Sequence, residues 1–279
     1  MGPRRMSVMI ALAGDARIGT DDRGLNYGEG VFETLRIHAG KPLWWGAHWQ
    51  RLVRGAAVLG IETPQADAVR AACAPLLAQP GDGVLKLLLT GGAGGRGYAP
   101  PVQAQPQLLI SRHALPPSWP VAGGRVRWSQ LRLGIQPALA GIKHCNRLEQ
   151  ILARRECNDP DIHESLLCDA LGAPTCAIAG NLFVLRKGVW LTPLIDRAGV
   201  AGICRQWLLS QGIAREQRLE IADVEQADAI FLCNAVRGIL PVRALGAQQI
   251  AIPPELQALT QRLAQAEPAF ARTGDSENG

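Results

Sequence analysis

Three shortages in the sequence exclude whole classes of protein. Only four of the 29 basic residues are lysines, and the arginines are scattered without a run of five basic residues. The net charge of +5 therefore does not predict a nucleic-acid-binding surface. No window of about 18 apolar residues is free of charges or of Gly and Pro breaks, so no membrane partner is expected. The mild positive excess instead favours small anionic ligands.

The cysteines lack the spacing of a disulfide or zinc framework. There are seven of them, an odd number, and no C-x-x-C pair occurs. We therefore expect neither a metal site nor a set of disulfides, but small buried residues in a reducing compartment. The short apolar run near the N-terminus is broken by Gly14 and Asp15, too early for a signal peptide, and is predicted to be a first strand. Both features favour a cytoplasmic location.

Length and composition predict a folded protein of two α+β domains. The 279 residues are 47% hydrophobic and 19% charged, which supplies enough apolar surface for a core and argues against bulk disorder. The best linker candidate is ALPPSWPVAGG, residues 114–124. We therefore predict one domain over residues 1–115 and a second over residues 116–279, with a disordered polar tail at about 272–279.

Apolar patterns and turn residues predict the main elements. Strands are expected at residues 8–14, 30–37, 84–90, 105–114, 125–133 and 227–234, with a further strand just before Leu139. Helices are expected at residues 47–59, 65–77, 145–158, 202–209 and from Pro253 onward. The glycine-rich stretch GGAGGRGYAP, residues 91–100, is predicted to be a loop.

The four lysines are the candidates for covalent chemistry, because a Schiff-base lysine needs a partly desolvated amine. Lys41 and Lys187 lie beside glycines in predicted turns and are expected to be solvated. Lys86 interrupts an apolar strand and could lie in the interior or at an edge. Lys143 lies between a small apolar segment and a predicted helix start, which leaves it open to either a structural or a functional role.

Seven segments in the same order resemble the fold-type IV pyridoxal-phosphate enzymes and, within them, the 4-amino-4-deoxychorismate lyases. These segments are AGIKHCNRLEQ, DDRGLNYGEGVFETLRI, HWQRL, LLLTGGAGGRGYAP, NLFVL, TPLIDRAGVAGICR and DAIFLCNAVRGILPV. The resemblance implies a two-domain α+β fold like that of the D-amino-acid and branched-chain aminotransferases. Its C-terminal domain would be an α/β-barrel-like cofactor domain. It also implies pyridoxal 5'-phosphate as cofactor, a small anionic substrate and a homodimer with no nucleic-acid partner.

The resemblance also implies roles for individual residues around the cofactor. Lys143 would hold the cofactor through a Schiff base and act as general acid and base. Several residues would hold its phosphate through a guanidinium, through backbone N–H groups at a helix start, or at a strand end. They are Arg51, Ile203, Cys204, Asn234 and Ala235. Ala235 lacks the hydroxyl that related enzymes often carry at this position.

Cys176 departs from the family pattern. These enzymes typically carry a glutamate against the pyridine nitrogen, five residues before an Asn-x-Phe stretch. Asn181 and Phe183 set this register here, and Cys176 takes the place of the glutamate. A neutral thiol would make the cofactor a weaker electron sink, which weighs against transamination and leaves elimination open. A cofactor-binding relative with weakened catalysis is also open.

Four residues are candidates for contact with the substrate. Arg96 in GGRGY is expected to pair with a substrate carboxylate, and Arg237 is a second candidate. Thr34, in FETLR, could hydrogen-bond the substrate or relay a proton, although a β-branched residue in a strand needs no such role. Tyr27 is either an active-site aromatic residue or part of the core. The resulting hypotheses are a lyase that yields 4-aminobenzoate and pyruvate, and an amino-acid transaminase of the same fold type.

Overall fold

The computed structural model describes residues 8–12, 14, 17–101 and 103–271, and these form two compact units. The first unit contains the described residues up to Leu115 together with Ile142–Asn146. The second contains Pro116–Gly141 and the described residues from Arg147 onward. The domain limits of 1–115 and 116–279 stay a prediction, and in this division the short segment that carries Lys143 goes with the first unit. The tail predicted to be disordered lies outside the described residues.

The first unit is built on a five-stranded sheet in the order β1-β5-β4-β2-β3. All neighbouring strands are antiparallel except β1 and β5, which are parallel. Its elements in chain order are β1 (Met9–Leu12), α1 (Arg23–Tyr27), β2 (Gly30–His38), β3 (Lys41–Pro42), α2 (Trp45–Val58), α3 (Ala66–Leu77), β4 (Gly83–Ala93) and β5 (Gln105–His113).

Strand β2 separates the two faces of this sheet. Residues 31, 33, 35 and 37 are buried, whereas residues 32, 34, 36 and 38 are half-exposed, as the two-residue repeat of a strand requires. Leu35 and Ile37 belong to a core that includes Leu52 and Ala56 of α2. One face of the sheet is therefore covered by helices, and the residues at 32 and 34 lie on the other face.

The segment Ile142–Asn146 lies alongside the first half of β2. The Phe32 amide donates to the Lys143 carbonyl at 2.9 Å, and the Cys145 amide donates to the Gly30 carbonyl at 2.9 Å. An antiparallel bridge joins Val31 and His144 between them. This pairing places Lys143 beside Phe32 and prevents the segment from being helical.

The second unit is built on a mixed nine-stranded sheet. The order along the sheet is β11-β10-β9-β12-β13-β6-β7-β8, with β14 paired to β13. Its elements in chain order are β6 (Gly124–Leu133), α4 (Leu148–Arg155), β7 (Glu164–Asp169), β8 (Pro174–Ala177), β9 (Asn181–Arg186), β10 (Val189–Pro193), α5 (Ile203–Ser210), β11 (Ala214–Gln217), α6 (Ile221–Glu225), β12 (Ala229–Asn234), β13 (Gly238–Leu245), β14 (Gln248–Gln249), α7 (Pro254–Ala266) and a 3-10 turn (Pro268–Phe270).

The central strands β9 and β12 bring polar residues to one end of this sheet. Phe183 and Phe231 stack between them with ring centroids 4.6 Å apart, which anchors the interior. Asn181 at the start of β9 pairs with Cys233, and Asn234 follows directly at the end of β12. Antiparallel pairing therefore gathers Asn181 and Asn234 at the same sheet end.

Most predicted elements are confirmed. The helices α2, α3, α5 and α7 lie within two residues of their predicted limits. Five of the seven cysteines are buried, and all seven are free thiols. Within the described ranges, none of the helices combines the length and the hydropathy that crossing a bilayer requires. The α+β class expected for the chain is confirmed.

Three predicted elements are wrong. The helix predicted at 145–158 is confined to α4, because residues up to Cys145 pair with β2. The strand predicted before Leu139 is a turn in which Leu139 and Ala140 donate to the Gln136 carbonyl, since Pro137 cannot join a ladder. Strand β4 extends through Ala93 into the predicted loop. Gly92 allows this with φ +73° where a Cβ would lie 1.7 Å from the Gln105 carbonyl oxygen.

Candidate active site

The amine of Lys143 lies over the ring of Phe32 in the first unit. The Nζ atom is 4.4 Å from the ring centroid, a cation–π distance, and the residue is half-buried. The Lys86 Nζ lies 5.7 Å from the same centroid, and Lys86 stands opposite Thr34 in the β2–β4 ladder. Lys143, Phe32 and Thr34 thus share the sheet face that is not covered by helices. Sequence reasoning identified Lys143 and Thr34 but missed Phe32, which the two-residue repeat of β2 already places on the face of Thr34.

A fully buried carboxylate occupies the opposite face of β2. Glu33 accepts from Arg51 Nε at 2.7 Å through one oxygen and from Arg51 Nη2 at 2.6 Å through the other. His48 Nδ1 lies 2.6 Å from the second oxygen. All three residues are buried, and α2 supplies both partners one turn apart. Arg51 and His48 therefore form a charged cluster with Glu33 inside an otherwise apolar core.

The ionisation of this cluster follows from its contacts. Burial by itself would raise the pKa of Glu33, but the charge and hydrogen bonds of Arg51, assisted by His48, lower it to about 2. Burial lowers the pKa of His48, and the positive charges of Arg51 and Lys143 act in the same direction, against the opposing effect of Glu33. At neutral pH the cluster accordingly holds an ionised carboxylate, a guanidinium and a neutral imidazole.

The tautomer of His48 is determined by its neighbour. An ionised carboxylate can only accept, so Nδ1 of the neutral ring must carry the proton that it donates to Glu33. The other nitrogen, Nε2, is then an acceptor, and among the described residues it has no hydrogen-bond partner although it is buried. Sequence reasoning missed Glu33 and His48. Glu33 could have been found from the sequence, because it is a charged residue on the face of β2 that Val31 and Leu35 predict to be buried.

Arg51 was predicted to hold the cofactor phosphate. The structure binds its guanidinium through two nitrogens to Glu33, so its positive charge is largely neutralised within the pair. The contact with phosphate stays a prediction. The two bonds to Glu33 fix the orientation of the Arg51 guanidinium, so Arg51 would contact an anion from that orientation.

The glycine-rich loop, which we define as Gly94–Ala99, carries the predicted substrate residue Arg96. Arg96 is exposed. Tyr27 at the end of α1 is half-buried, and its hydroxyl accepts from the Gly97 amide at 3.0 Å. Its ring also meets that of Tyr98 edge-on, with centroids 5.6 Å apart. The structure thus brings Tyr27 to the loop of Arg96, and both substrate roles stay predictions.

In the second unit, helix α5 begins at the sheet end defined by Asn181. Its N-cap is Gly202, so no side chain caps the N–H groups of the first turn, which includes Ile203 and Cys204. The Asn181 amide donates to the Val200 carbonyl at 2.8 Å. A Cβ on Gly202 would lie 2.0 Å from Asn181 Oδ1, so only glycine fits this approach. The uncapped first turn has the geometry that binds anions at helix N-termini.

Asn234 and Ala235 were predicted to hold the cofactor phosphate at the end of β12. That role stays a prediction. The side chain of Asn234 is used in its own turn, where Oδ1 accepts from the amides of Val236 and Arg237 at 3.0 and 2.8 Å. Its Nδ2 donates to the Ala179 carbonyl at 3.0 Å. Asn234 therefore shapes the loop after β12, and its side chain is committed to that turn. Ala235 is buried and contributes no polar side-chain atom.

Arg237 was the second candidate for a substrate carboxylate. Its guanidinium carbon lies 5.6 Å from the ring centroid of Trp119, and the residue is half-buried. Burial lowers the pKa of Arg237 from its ordinary value, and the nearby charge of Glu164 opposes this change. Glu164 is buried and bonded to Arg154 at 2.8 Å. Arg237 thus lies in an internal charge network, and its substrate role stays a prediction.

Cys176 lies in an apolar cluster of the second unit. It is 6% exposed and packs with Leu133, Ala153, Leu167 and Ala198. Burial raises the pKa of its thiol to about 12. The thiol is therefore neutral at physiological pH. The sequence predicts a neutral thiol at this position, where the family carries a carboxylate.

The residues fit pyridoxal phosphate on the chemistry of their donors. Lys143 offers a half-buried amine for the aldehyde, and the uncapped first turn of α5 offers N–H groups for the phosphate. His48 Nε2, buried and without a hydrogen-bond partner in the part of the chain that the structure describes, is an acceptor and is not one of these donors. The structure carries the first two groups on different units, and each unit by itself has the geometry described.

Comparisons with known proteins agree with this chemistry. The family model of class IV amino-transferases matches residues 30–245. An aminodeoxychorismate lyase from Vibrio harveyi is 30% identical over 250 residues, which cover 87% of this chain and 92% of that protein. The crystal structure of 4-amino-4-deoxychorismate lyase from Pseudomonas aeruginosa is 38% identical and superposes with a TM-score of 0.82. The matched region covers 90% of this chain and 96% of the Pseudomonas aeruginosa chain.

A more distant structure shares the fold alone. It is an aminotransferase from Brucella abortus bound to the cofactor PLP, with 22% identity and a TM-score of 0.77 over 90% of this chain and 95% of its own. The likeness extends over most of both chains, so the two-unit architecture is common to them.

Proposed function

This chain belongs to the class IV amino-transferase family, and from that premise we propose that it is a 4-amino-4-deoxychorismate lyase. It uses pyridoxal 5'-phosphate to convert its substrate into 4-aminobenzoate and pyruvate, a reaction of folate biosynthesis. The observation that carries the proposal is the amine of Lys143 held over Phe32, on the same sheet face as Thr34. The residue is half-buried there, and a Schiff-base lysine needs a partly desolvated amine.

The bound cofactor supplies an electron-withdrawing ring that stabilises negative charge at the carbon bearing the substrate amino group. Lys143 Nζ would hold the cofactor and, once the substrate amine has displaced it, would take the proton from that carbon. The hydroxyl of Thr34, two residues from Phe32 on the same strand face, donates a hydrogen bond toward the departing enolpyruvyl oxygen. Arg96 binds a substrate carboxylate. The first turn of α5, with Ile203 and Cys204, and Arg51 hold the phosphate.

Cys176 favours the lyase over a transaminase. A transaminase must stabilise negative charge long enough to return the proton to the cofactor, which a carboxylate beside the ring nitrogen promotes. The neutral thiol of Cys176 offers no such charge. Elimination relieves the charge by expelling the leaving group and making the ring aromatic, so it needs less help. This inference concerns the chemistry of the thiol, and its place beside the ring rests on the family register.

One experiment separates the two reactions. The protein loaded with cofactor is incubated with 4-amino-4-deoxychorismate, and 4-aminobenzoate is quantified against a Lys143→Ala control. Formation of 4-aminobenzoate well above the control supports the lyase. A parallel panel of L- and D-amino acids is followed for the spectral change to the pyridoxamine form. That change, without 4-aminobenzoate, would replace the lyase with a transaminase.

We further propose that the protein is a homodimer of the cytoplasm. Seven free thiols are compatible with a reducing compartment. Helix α4 leaves Leu148, Ile151 and Leu152 exposed on one face, which a second copy of the chain would cover. Sedimentation velocity measures the mass in solution, and a monomer at micromolar concentration would exclude the dimer.

A further inference from the structure

The side chain of Arg23, the first residue of α1, contacts several residues of the glycine-rich loop. Nothing in its sequence position predicts this. The residue is only 3% exposed. Its Nε donates to Glu29 Oε2 at 2.5 Å, and its Nη1 donates to the Gly97 and Ala99 carbonyls at 3.0 and 3.4 Å. Its Nη2 donates to the Tyr98 carbonyl at 3.3 Å. One guanidinium therefore ties three successive carbonyl-bearing residues of the loop to α1.

Further contacts bind the same loop to the α1 region. The Gly97 amide donates to Tyr27, and the guanidinium carbon of Arg23 lies 5.0 Å from the Tyr27 ring centroid. The Gly94 amide donates to the Asp21 carbonyl at 3.1 Å. A Cβ on Gly94 would lie 2.6 Å from Arg23 Cδ, so glycine is needed where the chain passes the arginine. These contacts hold the main chain while Arg96 and Tyr98 stay exposed.

The chemistry of the donor explains why arginine is needed here. A loop without a ladder leaves its carbonyls to water or to side chains. A guanidinium presents five N–H donors in a fixed plane, so it can satisfy several carbonyls and a carboxylate at once, whereas a lysine ammonium cannot reproduce that planar arrangement. The loop is thus preorganised before any ligand arrives, which reduces the entropy lost on binding.

We propose that Arg23 is a positioning residue that sets the affinity for the anionic substrate by fixing the loop that presents Arg96. This inference rests on the proposed function, because it assumes that Arg96 binds a substrate carboxylate. Arg23 touches neither the substrate nor the reacting atoms. Its loss should therefore weaken substrate binding more than it slows the chemical step.

The chain offers a matched control in Arg112. Its Nη1 donates to the Leu76 and Gln79 carbonyls at 2.7 and 2.8 Å, and its Nη2 donates to the Pro80 and Gly81 carbonyls at 3.0 and 2.6 Å. Arg112 thus ties down a different turn of the same unit by the same means. A comparison of the two arginines separates a general loss of loop order from a loss at the substrate loop.

The test compares wild type, Arg23→Lys, Gly94→Ala and Arg112→Lys, all loaded with cofactor. Steady-state kinetics with 4-amino-4-deoxychorismate give KM and kcat, and hydrogen exchange measured by mass spectrometry follows the peptides that span residues 94–99 and 76–81. For Arg23→Lys we expect exchange at 94–99 to accelerate about tenfold and KM to rise about tenfold, with kcat within about twofold of wild type. Gly94→Ala should shift the same quantities in the same direction.

Arg112→Lys is the control, and three outcomes would contradict the proposal. Arg112→Lys should accelerate exchange at 76–81 and leave KM unchanged. Unchanged exchange at 94–99 in Arg23→Lys, or accelerated exchange with an unchanged KM, would overturn the proposal. A fall in kcat equal to the rise in KM would also overturn it. If wild type forms no 4-aminobenzoate, the proposed function fails, while the exchange data still decide whether Arg23 holds the loop.

Discussion

The two units differ in the groups that surround their candidate residues. The first unit buries an ionised carboxylate, Glu33, and stabilises it with Arg51 and His48. The second unit places neutral thiols and uncapped backbone N–H groups at its site, with Cys176 in an apolar cluster and Gly202 at the start of α5. A buried charge is tolerated only when it is paired and hydrogen-bonded, whereas a neutral thiol needs no partner. We infer that charged groups surround the candidate residues of the first unit, whereas apolar side chains surround Cys176 in the second.

The difference extends to the lysines and cysteines. Lys143 and Lys86 both lie over Phe32 in the first unit. In the second unit, burial raises the pKa of Cys176 to about 12 and raises that of Cys233 well above its ordinary value. Thiols of this kind stay protonated and resist oxidation. We therefore expect the nucleophile to be an amine of the first unit and not one of the buried thiols of the second.

The largest expected effect is on covalent attachment of the cofactor. Lys143→Ala should lower turnover by at least about 10³-fold, because it removes both the point of attachment and the proton carrier. Borohydride reduction followed by peptide mass analysis should show the cofactor on Lys143 in wild type. Lys86→Ala is the matched control, since its amine lies over the same ring, and it should keep the label on Lys143. A label on Lys86 would reverse this assignment.

The second prediction removes the buried carboxylate of the first unit. Glu33→Gln should lower the free energy of unfolding by about 3 kcal/mol at pH 7, because Arg51 loses its counter-charge. The folded pKa of Glu33, about 2, lies below its ordinary value of 4.5, so its stabilisation is present above pH 4.5 and is lost as the pH falls toward 2. Urea unfolding at pH 7 and at pH 3 measures both effects.

The difference between Glu33→Gln and wild type should therefore shrink at pH 3. Asp82, an exposed carboxylate paired with Arg36 and His38, provides the control. Asp82→Asn should change stability by less than about 1 kcal/mol at either pH. A constant difference for Glu33→Gln across this range would show that Glu33 is not ionised in the folded protein.

The third prediction places a carboxylate in the apolar cluster around residue 176 of the second unit. Cys176→Glu should destabilise the protein without cofactor by about 2 kcal/mol at pH 7, because the cluster around residue 176 is apolar and burial there outweighs the positive charge of Arg147. Burial should raise the pKa of the new glutamate, so the destabilisation should grow as the pH rises above about 4.5. The pH dependence is thus opposite in sign to that of Glu33.

Cys176→Gln is the uncharged control of similar size. Its stability loss should not vary with pH between 4 and 8 in urea unfolding. If both variants behave alike, the site in the second unit tolerates charge and the contrast between the units is wrong.

The smallest expected effect concerns the hydroxyl of Thr34. Thr34→Val keeps the shape and the strand preference but removes the donor, and it should lower kcat about tenfold with little change in stability. Thr34→Ser retains the hydroxyl and should keep kcat within about threefold of wild type. Equal kcat for wild type and Thr34→Val would mean that the strand alone explains the threonine.

Local patterns predicted most of the elements, and the family resemblance pointed to Lys143, but neither predicted the polar contacts around them. The repeat of β2 and the periodicity of α2 were readable from short windows, because each depends on neighbours within one or two turns. The helix predicted at 145–158 failed where a distant strand competes: Cys145 donates to Gly30, and no local pattern reports such a partner. The strand predicted before Leu139 failed because Pro137 was given too little weight.

The amino-acid sequence by itself determined most of the strands and helices, the family pattern around Lys143 and the cysteine at position 176, in the register where the family carries a glutamate. Only the tertiary structure decided which polar groups meet. Glu33 and Arg51 are separated by 18 residues, and Arg23 reaches the Gly97 carbonyl across 74. The physical reason is that burial of a charge is stable only with a specific partner, and that partner is brought into reach by the packing of the sheet and its helices and not by spacing along the chain.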